Sequence, residues 1–150
     1  MLKHKWLILI TLVVLATLLP LNGLVAAAPE TVAIRATDPN AAEKGPTSTG
    51  APDPGTFTVY RVNSPSLANP ITVYYSISGT ATNGMDYLTL SGVVTIPAGA
   101  PSAPITVKPI DDSLHEGTET VIATVIPCPS TGCYFIGMPS SATVYIADND

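Results

Sequence analysis

The stretch TFTVYRV at residues 56–62 alternates along its length and decides the fold class. Successive side chains of an extended chain point to opposite sides, so Phe57, Val59 and Arg61 share one face and the other four residues share the second. A period of two residues predicts a β-strand, since amphipathic helices repeat their apolar positions every three to four residues. The stretch by itself does not show which of its faces is buried.

Six further stretches are rich in valine, isoleucine, threonine and tyrosine and are separated by segments rich in proline and glycine. They cover residues 31–37, 71–77, 92–97, 103–110, 119–126 and 141–147. Short strands that alternate with turns are typical of an immunoglobulin-like sandwich. We therefore predict an all-β fold, a seven-stranded immunoglobulin-like β-sandwich, formed by one domain at residues 28–150.

The first 27 residues have the form of a secretory signal peptide. A basic start is followed by the apolar run WLILITLVVLATLL at residues 6–19, a break at Pro20, and small residues before Ala28. We expect cleavage after Ala27, and the alternative is an uncleaved membrane anchor over residues 6–28, which is long enough to span a bilayer. In either case we expect the domain outside the cytoplasm, secreted or at the cell surface.

The chain is acidic, with six lysine and arginine residues against eleven aspartate and glutamate residues. Cleavage would remove Lys3 and Lys5, which leaves four basic residues and a net charge of −7. This balance argues against nucleic acid as a partner, because no basic patch is present to neutralise phosphates. It is suited to the binding of cations.

The two cysteines, Cys128 and Cys133, lie in the short segment CPSTGC. In an oxidising compartment such a pair is expected to form a disulfide. The spacing is not that of a Cys-x-x-Cys redox motif, and no histidine or further cysteine accompanies the pair as zinc ligands would. We predict a structural disulfide that closes a tight turn.

If consecutive strands run mostly antiparallel, the loops after the first, third, fifth and seventh predicted strands lie at one end of the sandwich. Ten of the eleven acidic residues are in or next to these loops, and only Glu30 lies elsewhere. The ten are Asp38, Glu43, Asp53, Asp86, Asp111, Asp112, Glu116, Glu119, Asp148 and Asp150. Carboxylates gathered in this way repel one another, and a bound multivalent cation would reverse the sign of that interaction.

Calcium is the cation that best suits these loops. It accepts about six to eight oxygen ligands and tolerates irregular geometry, whereas magnesium requires a stricter octahedron and retains its waters. Zinc and copper prefer histidine or cysteine, and His115 is the only histidine after residue 28. Asp38 and Asp53 are expected to initiate turns rather than to bind the ion.

Three other interpretations compete with calcium binding. The acids could form a solvated end that keeps the protein soluble, the domain could be a purely adhesive or structural module, or two carboxylates could act as catalytic acid and base. Asp111 and Asp112 are adjacent, so on a strand they would point to opposite faces. No nucleophile–base set accompanies them, and we predict that the protein is not an enzyme.

Three segments resemble, in order, the diagnostic stretches of the Calx-beta domain family, which occurs in the regulatory loop of sodium–calcium exchangers and in bacterial surface proteins. They are GTATNGMDYLTLSGVVTIPAG at residues 79–99, ITVKPIDDSLHEGTET at 105–120 and SATVYIADND at 141–150. The resemblance implies a seven-stranded immunoglobulin-like sandwich that binds calcium at one end.

The resemblance also implies a set of calcium ligands. Leu114 would contribute its backbone carbonyl, and Asn149 stands where calcium-rich members have the middle of three aspartates, which implies fewer or weaker ions. The carboxylate ligands would be Glu43, Asp86, Asp111, Asp112, Glu116, Glu119, Asp148 and Asp150.

We therefore expect an exported calcium-binding module with a structural or adhesive role, whose partners beyond calcium are neighbouring domains or surface polymers. The alternatives are an adhesion module that binds no metal and a fragment of a larger surface protein.

Overall fold

The computed structural model describes residues 29–44, 50–64, 67–131 and 133–150, and the predicted signal peptide lies outside them. The described chain forms nine strands and no helix that could cross a membrane. The strands are β1 (Glu30–Asp38), β2 (Asn40–Ala42), β3 (Gly55–Val62), β4 (Ile71–Gly79), β5 (Val93–Ile96), β6 (Ser102–Val107), β7 (Glu119–Val125), β8 (Tyr134–Ile136) and β9 (Ser141–Ala147).

The strands form two sheets, in the orders β6-β3-β1-β8 and β2-β9-β7-β4-β5. Neighbouring strands are antiparallel, except that β1 pairs with β8 and β2 pairs with β9 in parallel. The chain changes sheets between β1 and β2, where a side-chain oxygen of Asp38 accepts a hydrogen bond from the Asn40 N–H at 3.3 Å. Asp38 therefore acts as a turn residue, as the sequence predicts.

The predicted all-β sandwich is confirmed, and all seven predicted strands are present. The count of seven was wrong, because β2 and β8 bring the number of strands in the described chain to nine. Each of the two has three residues and lies at the edge of a sheet. Three residues are too few to display a period of two, so these strands leave no clear signal in the sequence.

The core lies between the sheets and consists mainly of branched aliphatic side chains with a few aromatics. On β3 the buried face contains Phe57, Val59 and Arg61, and the residues between them are half-buried. The largest fully buried side chains are Tyr87, Phe57, Ile34, Ile96, Ile146, Val32, Val59, Val73, Val107, Val121 and Val144. Removing this apolar surface from water is the main favourable contribution to folding.

Arg61 is a charged residue on the core face, and it lies near the edge of the core where each of its nitrogens finds an acceptor. Its Nη1 lies 2.6 Å from Oε1 of Glu30, its Nη2 donates to the Asn69 carbonyl at 2.6 Å, and its Nε donates to the Ala100 carbonyl at 3.0 Å. Because a buried charge is tolerated only when it is paired and hydrogen-bonded, these contacts account for its position.

The predicted disulfide between Cys128 and Cys133 is present and lies in the loop between β7 and β8. Next to it, Tyr134 connects the two sheets. Its hydroxyl donates to the Ile126 carbonyl at 2.6 Å and accepts from the Tyr74 N–H at 3.1 Å.

The strand directions place the segments after β2, β4, β6 and β9 at one end of the sandwich. We call this end, formed by residues 38–44, 50–54, 80–92, 108–119 and 148–150, the acidic pole. The other end, which contains Glu30, Arg61 and the disulfide, is the opposite pole.

Candidate metal centre

Glu43 lies just past the end of β2, where its backbone N–H donates to the Ala147 carbonyl at the end of β9 (3.1 Å). This bond extends the β2–β9 pairing by one residue and places the Glu43 side chain inside the acidic pole. The residue is only 2% exposed, and its Oε2 atom has no hydrogen-bond partner among the described residues. A buried carboxylate oxygen without a partner is costly, so the site is suited to a group that can bond to it.

The first acidic group brings Glu43 together with two residues that follow β9. One carboxylate oxygen each of Glu43, Asp148 and Asp150 lies within 4.8 Å of the others. Glu43 is far from Asp148 and Asp150 in the sequence, and the parallel pairing of β2 with β9 places the two segments side by side.

Backbone hydrogen bonds hold Asp148 in position. Its Oδ1 accepts from the Asp150 N–H at 2.9 Å, and its Oδ2 accepts from the N–H groups of Glu116 and Gly117, each at 2.8 Å. These bonds, with that of Asp150 contributing most, lower the pKa of Asp148 to about 2. Asp148 is therefore ionised and oriented before any ligand binds.

The second acidic group consists of Asp86, Glu116 and Glu119, which offer oxygens within 4.8 Å of one another. Asp86 lies in the turn after β4, and its Oδ2 accepts the Thr82 N–H at 2.5 Å. Glu119 begins β7. The Glu116 N–H donates to Asp148, so this backbone contact joins the second group to the first.

Each group contains a carboxyl whose ionisation is opposed by its surroundings. Burial first, and then the charges of Asp148 and Asp112, together raise the pKa of Glu43 to about 7. Burial raises the pKa of Glu119, likewise to about 7, together with the adjacent Asp86. Burial and the repulsion that the sequence predicts therefore both oppose the ionisation of Glu43 and Glu119.

Three of the nine expected ligands lie outside the two groups. Asp111 forms an ion pair with Lys44, with Oδ1 and Nζ 3.4 Å apart. Asp112 accepts the Leu114 N–H at 2.7 Å, although its charge still acts on Glu43. Leu114 has a largely exposed side chain. For these three residues, participation in the site stays a prediction.

His115 received no role from the sequence, yet it contacts the first acidic group. Its Nδ1 lies 3.4 Å from Oδ2 of Asp148 and close to the backbone carbonyl of Asp150. Its place within the acidic loop between β6 and β7 was the available signal. Since the imidazole is 83% exposed, it lies at the surface beside the first acidic group.

The donors at this pole fit a hard divalent cation. The two groups offer six carboxylates and no cysteine, which suits calcium better than zinc or copper. The Oε2 of Glu43, without a partner among the described residues, is the observation from this structure that suits a bound cation.

Comparison with known protein families supports the resemblance seen in the sequence. The family model for the Calx-beta domain matches residues 51–150, which begin after β2. No curated protein matches the chain.

Among solved structures, "CBD12 from CALX1.2" superposes with a TM-score of 0.58 at 23% identity, covering 80% of this chain and 44% of that one. The "Apo-form Calx CBD1 domain" gives 0.56 at 24%, covering 79% and 98%. The "calcium binding domain CBD12 of CALX1.1" gives 0.55 at 22%, covering 78% and 44%. At these identities the likeness shows the fold, and the chain spans less than half of the two CBD12 structures.

Proposed function

The chain belongs to the Calx-beta domain family, and from this premise we propose that it binds Ca²⁺ at the acidic pole. The observation that carries the proposal is the buried Oε2 atom of Glu43, which lacks a partner among the described residues and adjoins Asp148 and Asp150. One solved structure of the same fold is that of a calcium binding domain, which supports the choice of ion.

The residues that would hold calcium are those of the two acidic groups. Glu43, Asp148 and Asp150 would form one site, and Asp86, Glu116 and Glu119 a second. Asp111, Asp112 and the Leu114 carbonyl would complete the coordination as loop 108–118 closes. Because there are two acidic groups and Asn149 is neutral, we expect the pole to bind one or two ions.

The effect of the ion would be electrostatic and local. Without it, carboxylates from four segments repel one another, and Glu43 and Glu119 resist ionisation. A divalent cation replaces this repulsion with attraction and links the ends of β2 and β9 to the loops before β5 and β7. The acidic pole would then become rigid, while the opposite pole would be unaffected.

We also propose that the domain acts outside the cytoplasm, with a structural or adhesive role and no catalytic activity. The support is the pattern of a signal peptide in residues 1–27 and the disulfide between Cys128 and Cys133. Neighbouring domains or surface polymers are the partners such a role implies.

Calorimetric titration with calcium, together with thermal unfolding in calcium and in chelator, tests the proposal. A ligand that binds only the folded state stabilises it by about 2.7 kcal/mol at a hundredfold excess over Kd. We expect this stabilisation for the wild type and its loss in Glu43→Gln. Asp53→Asn is the matched control, because Asp53 lies at the same pole outside both groups.

A domain that binds no metal is the second candidate. The charges of two carboxylates are already partly compensated within the fold, which favours this candidate. Asp148 accepts three backbone hydrogen bonds, and Asp111 forms an ion pair with Lys44. The absence of heat and of any melting shift at millimolar calcium would select this candidate.

A further inference from the structure

We propose that the pairing of β2 with β9 resists unfolding when the domain is pulled along its length, and that calcium at the acidic pole strengthens this resistance. The calcium part of the inference rests on the function proposed above. The other part follows from the direction of the strands alone.

Strands β1 and β9 are oriented so that tension along the chain loads the β2–β9 pair in shear. β1 begins at the opposite pole and runs toward the acidic pole, and β2 continues in the same direction after Pro39. β9 runs parallel to β2 and also ends at the acidic pole. Force applied before residue 30 acts first on β1, which is held by its pairing with β3 and β8, and is passed on through Pro39 to β2. Force applied after residue 147 acts on β9, so β2 and β9 are pulled in opposite directions along their axes.

Shear loads the hydrogen bonds between β2 and β9 together rather than one at a time. Asn40, Ala41 and Ala42 are aligned with residues 145–147. The pair is bounded by two bonds, from the Tyr145 N–H to the Pro39 carbonyl (2.8 Å) and from the Glu43 N–H to the Ala147 carbonyl (3.1 Å). Bonds of a parallel pair are evenly spaced, so the load is shared among them.

The first acidic group lies at the end of this pair where β9 is pulled. Glu43 follows β2 directly, and Asp148 follows β9 directly. An ion held between their carboxylates connects the two strands through their side chains, beside the last backbone bond. Separating the strands then requires the loss of ion–carboxylate contacts before the transition state for unfolding is reached, which slows unfolding.

Single-molecule pulling tests this inference, with one handle before residue 29 and the other after Asp150. Forced unfolding reports the unfolding rate. At constant force we expect the wild type to unfold about tenfold more slowly in saturating calcium than in chelator, which corresponds to about 1.4 kcal/mol at the transition state. Glu43→Gln is expected to lose this difference, and Asp53→Asn to retain it.

A second pulling direction is the control for shear. With the C-terminal handle moved to Ala98→Cys, in the exposed turn between β5 and β6, both handles lie at the opposite pole and β2–β9 is not loaded. We expect a lower unfolding force in this direction, in chelator as in calcium, and a smaller effect of the ion.

The outcomes separate the two proposals. If calorimetry shows that calcium binds, but the unfolding rate under force along the chain is the same in calcium and in chelator, the mechanical role of the ion is overturned. The proposed function then stays intact. The absence of calorimetric binding overturns the proposed function and the role of the ion together. Equal unfolding forces in the two directions in chelator overturn the shear geometry itself.

Discussion

At the scale of single residues, Glu43 carries the strongest evidence for a functional site. Exposed acids are common on protein surfaces, but Glu43 is buried, has an oxygen without a partner in the described structure, and lies among acids of its own charge. Asp53, which the sequence predicts to be a turn residue, lies at the same pole and belongs to neither acidic group. The sequence does not show that Glu43 is buried.

Neutralising Glu43 is expected to stabilise the protein in the absence of calcium. At about pH 8 in chelator, Glu43→Gln removes a buried charge whose pKa is raised to about 7, and we expect a gain on the order of 1–3 kcal/mol in the free energy of unfolding. Urea denaturation measures it. A loss of stability in chelator would show that the carboxylate is already compensated within the fold.

The raised pKa values predict how the stability of the calcium-free protein depends on pH. Glu43 and Glu119 have pKa values of about 7 in the folded state against an ordinary 4.5, so the folded state binds more protons between these values. Their contribution is fully present below 4.5 and is lost as the pH rises through 7. We expect the free energy of unfolding in chelator to increase as the pH is lowered from about 8 to about 5.

The contribution of Asp148 to stability depends on pH in the opposite way. Its pKa is lowered to about 2 from an ordinary 3.8, so its contribution is present above 3.8 and is lost as the pH falls through 2. Denaturation across this range is therefore expected to show a maximum of stability between about pH 4 and 5. If the free energy of unfolding in chelator were greatest near neutral pH, the raised pKa values of Glu43 and Glu119 would be contradicted.

At the scale of the elements, the long strands follow from their sequence patterns and the short ones do not. The alternation of residues 56–62 predicts β3, but β2 and β8 form only because β9 and β1 offer them unpaired edges. Arg61 fits the two-residue period of β3, but it is a charged residue on the face that packs into the core. Its acceptors come from Glu30, Asn69 and Ala100, which the sequence does not show to be neighbours.

The edge strand β8 yields a prediction through Tyr134. Tyr134→Phe leaves the Ile126 carbonyl without the hydroxyl donor and the Tyr74 N–H without its acceptor, in a partly buried position, while the ring still fills its place. We expect a loss of about 1–3 kcal/mol in the free energy of unfolding, measured with urea. Tyr60→Phe is a suitable control, because Tyr60 lies on the half-buried face of β3. An equal effect of the two substitutions would argue against a connection between the sheets at Tyr134.

At the scale of the whole molecule, the two poles have different characters. The acidic pole contains two groups of carboxylates from four segments, whereas the opposite pole is held by the Arg61–Glu30 ion pair and a disulfide. Under the proposed function, the order of the acidic pole would depend on a bound ion, whereas the opposite pole is held by contacts within the chain.

Hydrogen exchange should report this difference. We expect calcium to slow amide exchange in residues 108–118 and 148–150, because the ion links segments that otherwise repel one another. Residues 126–131 and 133–139, near the disulfide, are expected to be unchanged. Equal protection at both poles would indicate general stabilisation instead of a local effect at the acidic pole.

Four features of this protein are predictable from its sequence: the fold class, the seven main strands, the disulfide and the collection of acids at one end. These features follow from local periodicity, from the order of strands and loops, and from residue chemistry. Only the tertiary structure decided that Glu43 is buried beside Asp148 and Asp150, that Asp86, Glu116 and Glu119 form a separate group, and that β2 pairs in parallel with β9. Such juxtapositions depend on distances of a few ångströms between segments remote in the chain, which neither periodicity nor spacing specifies.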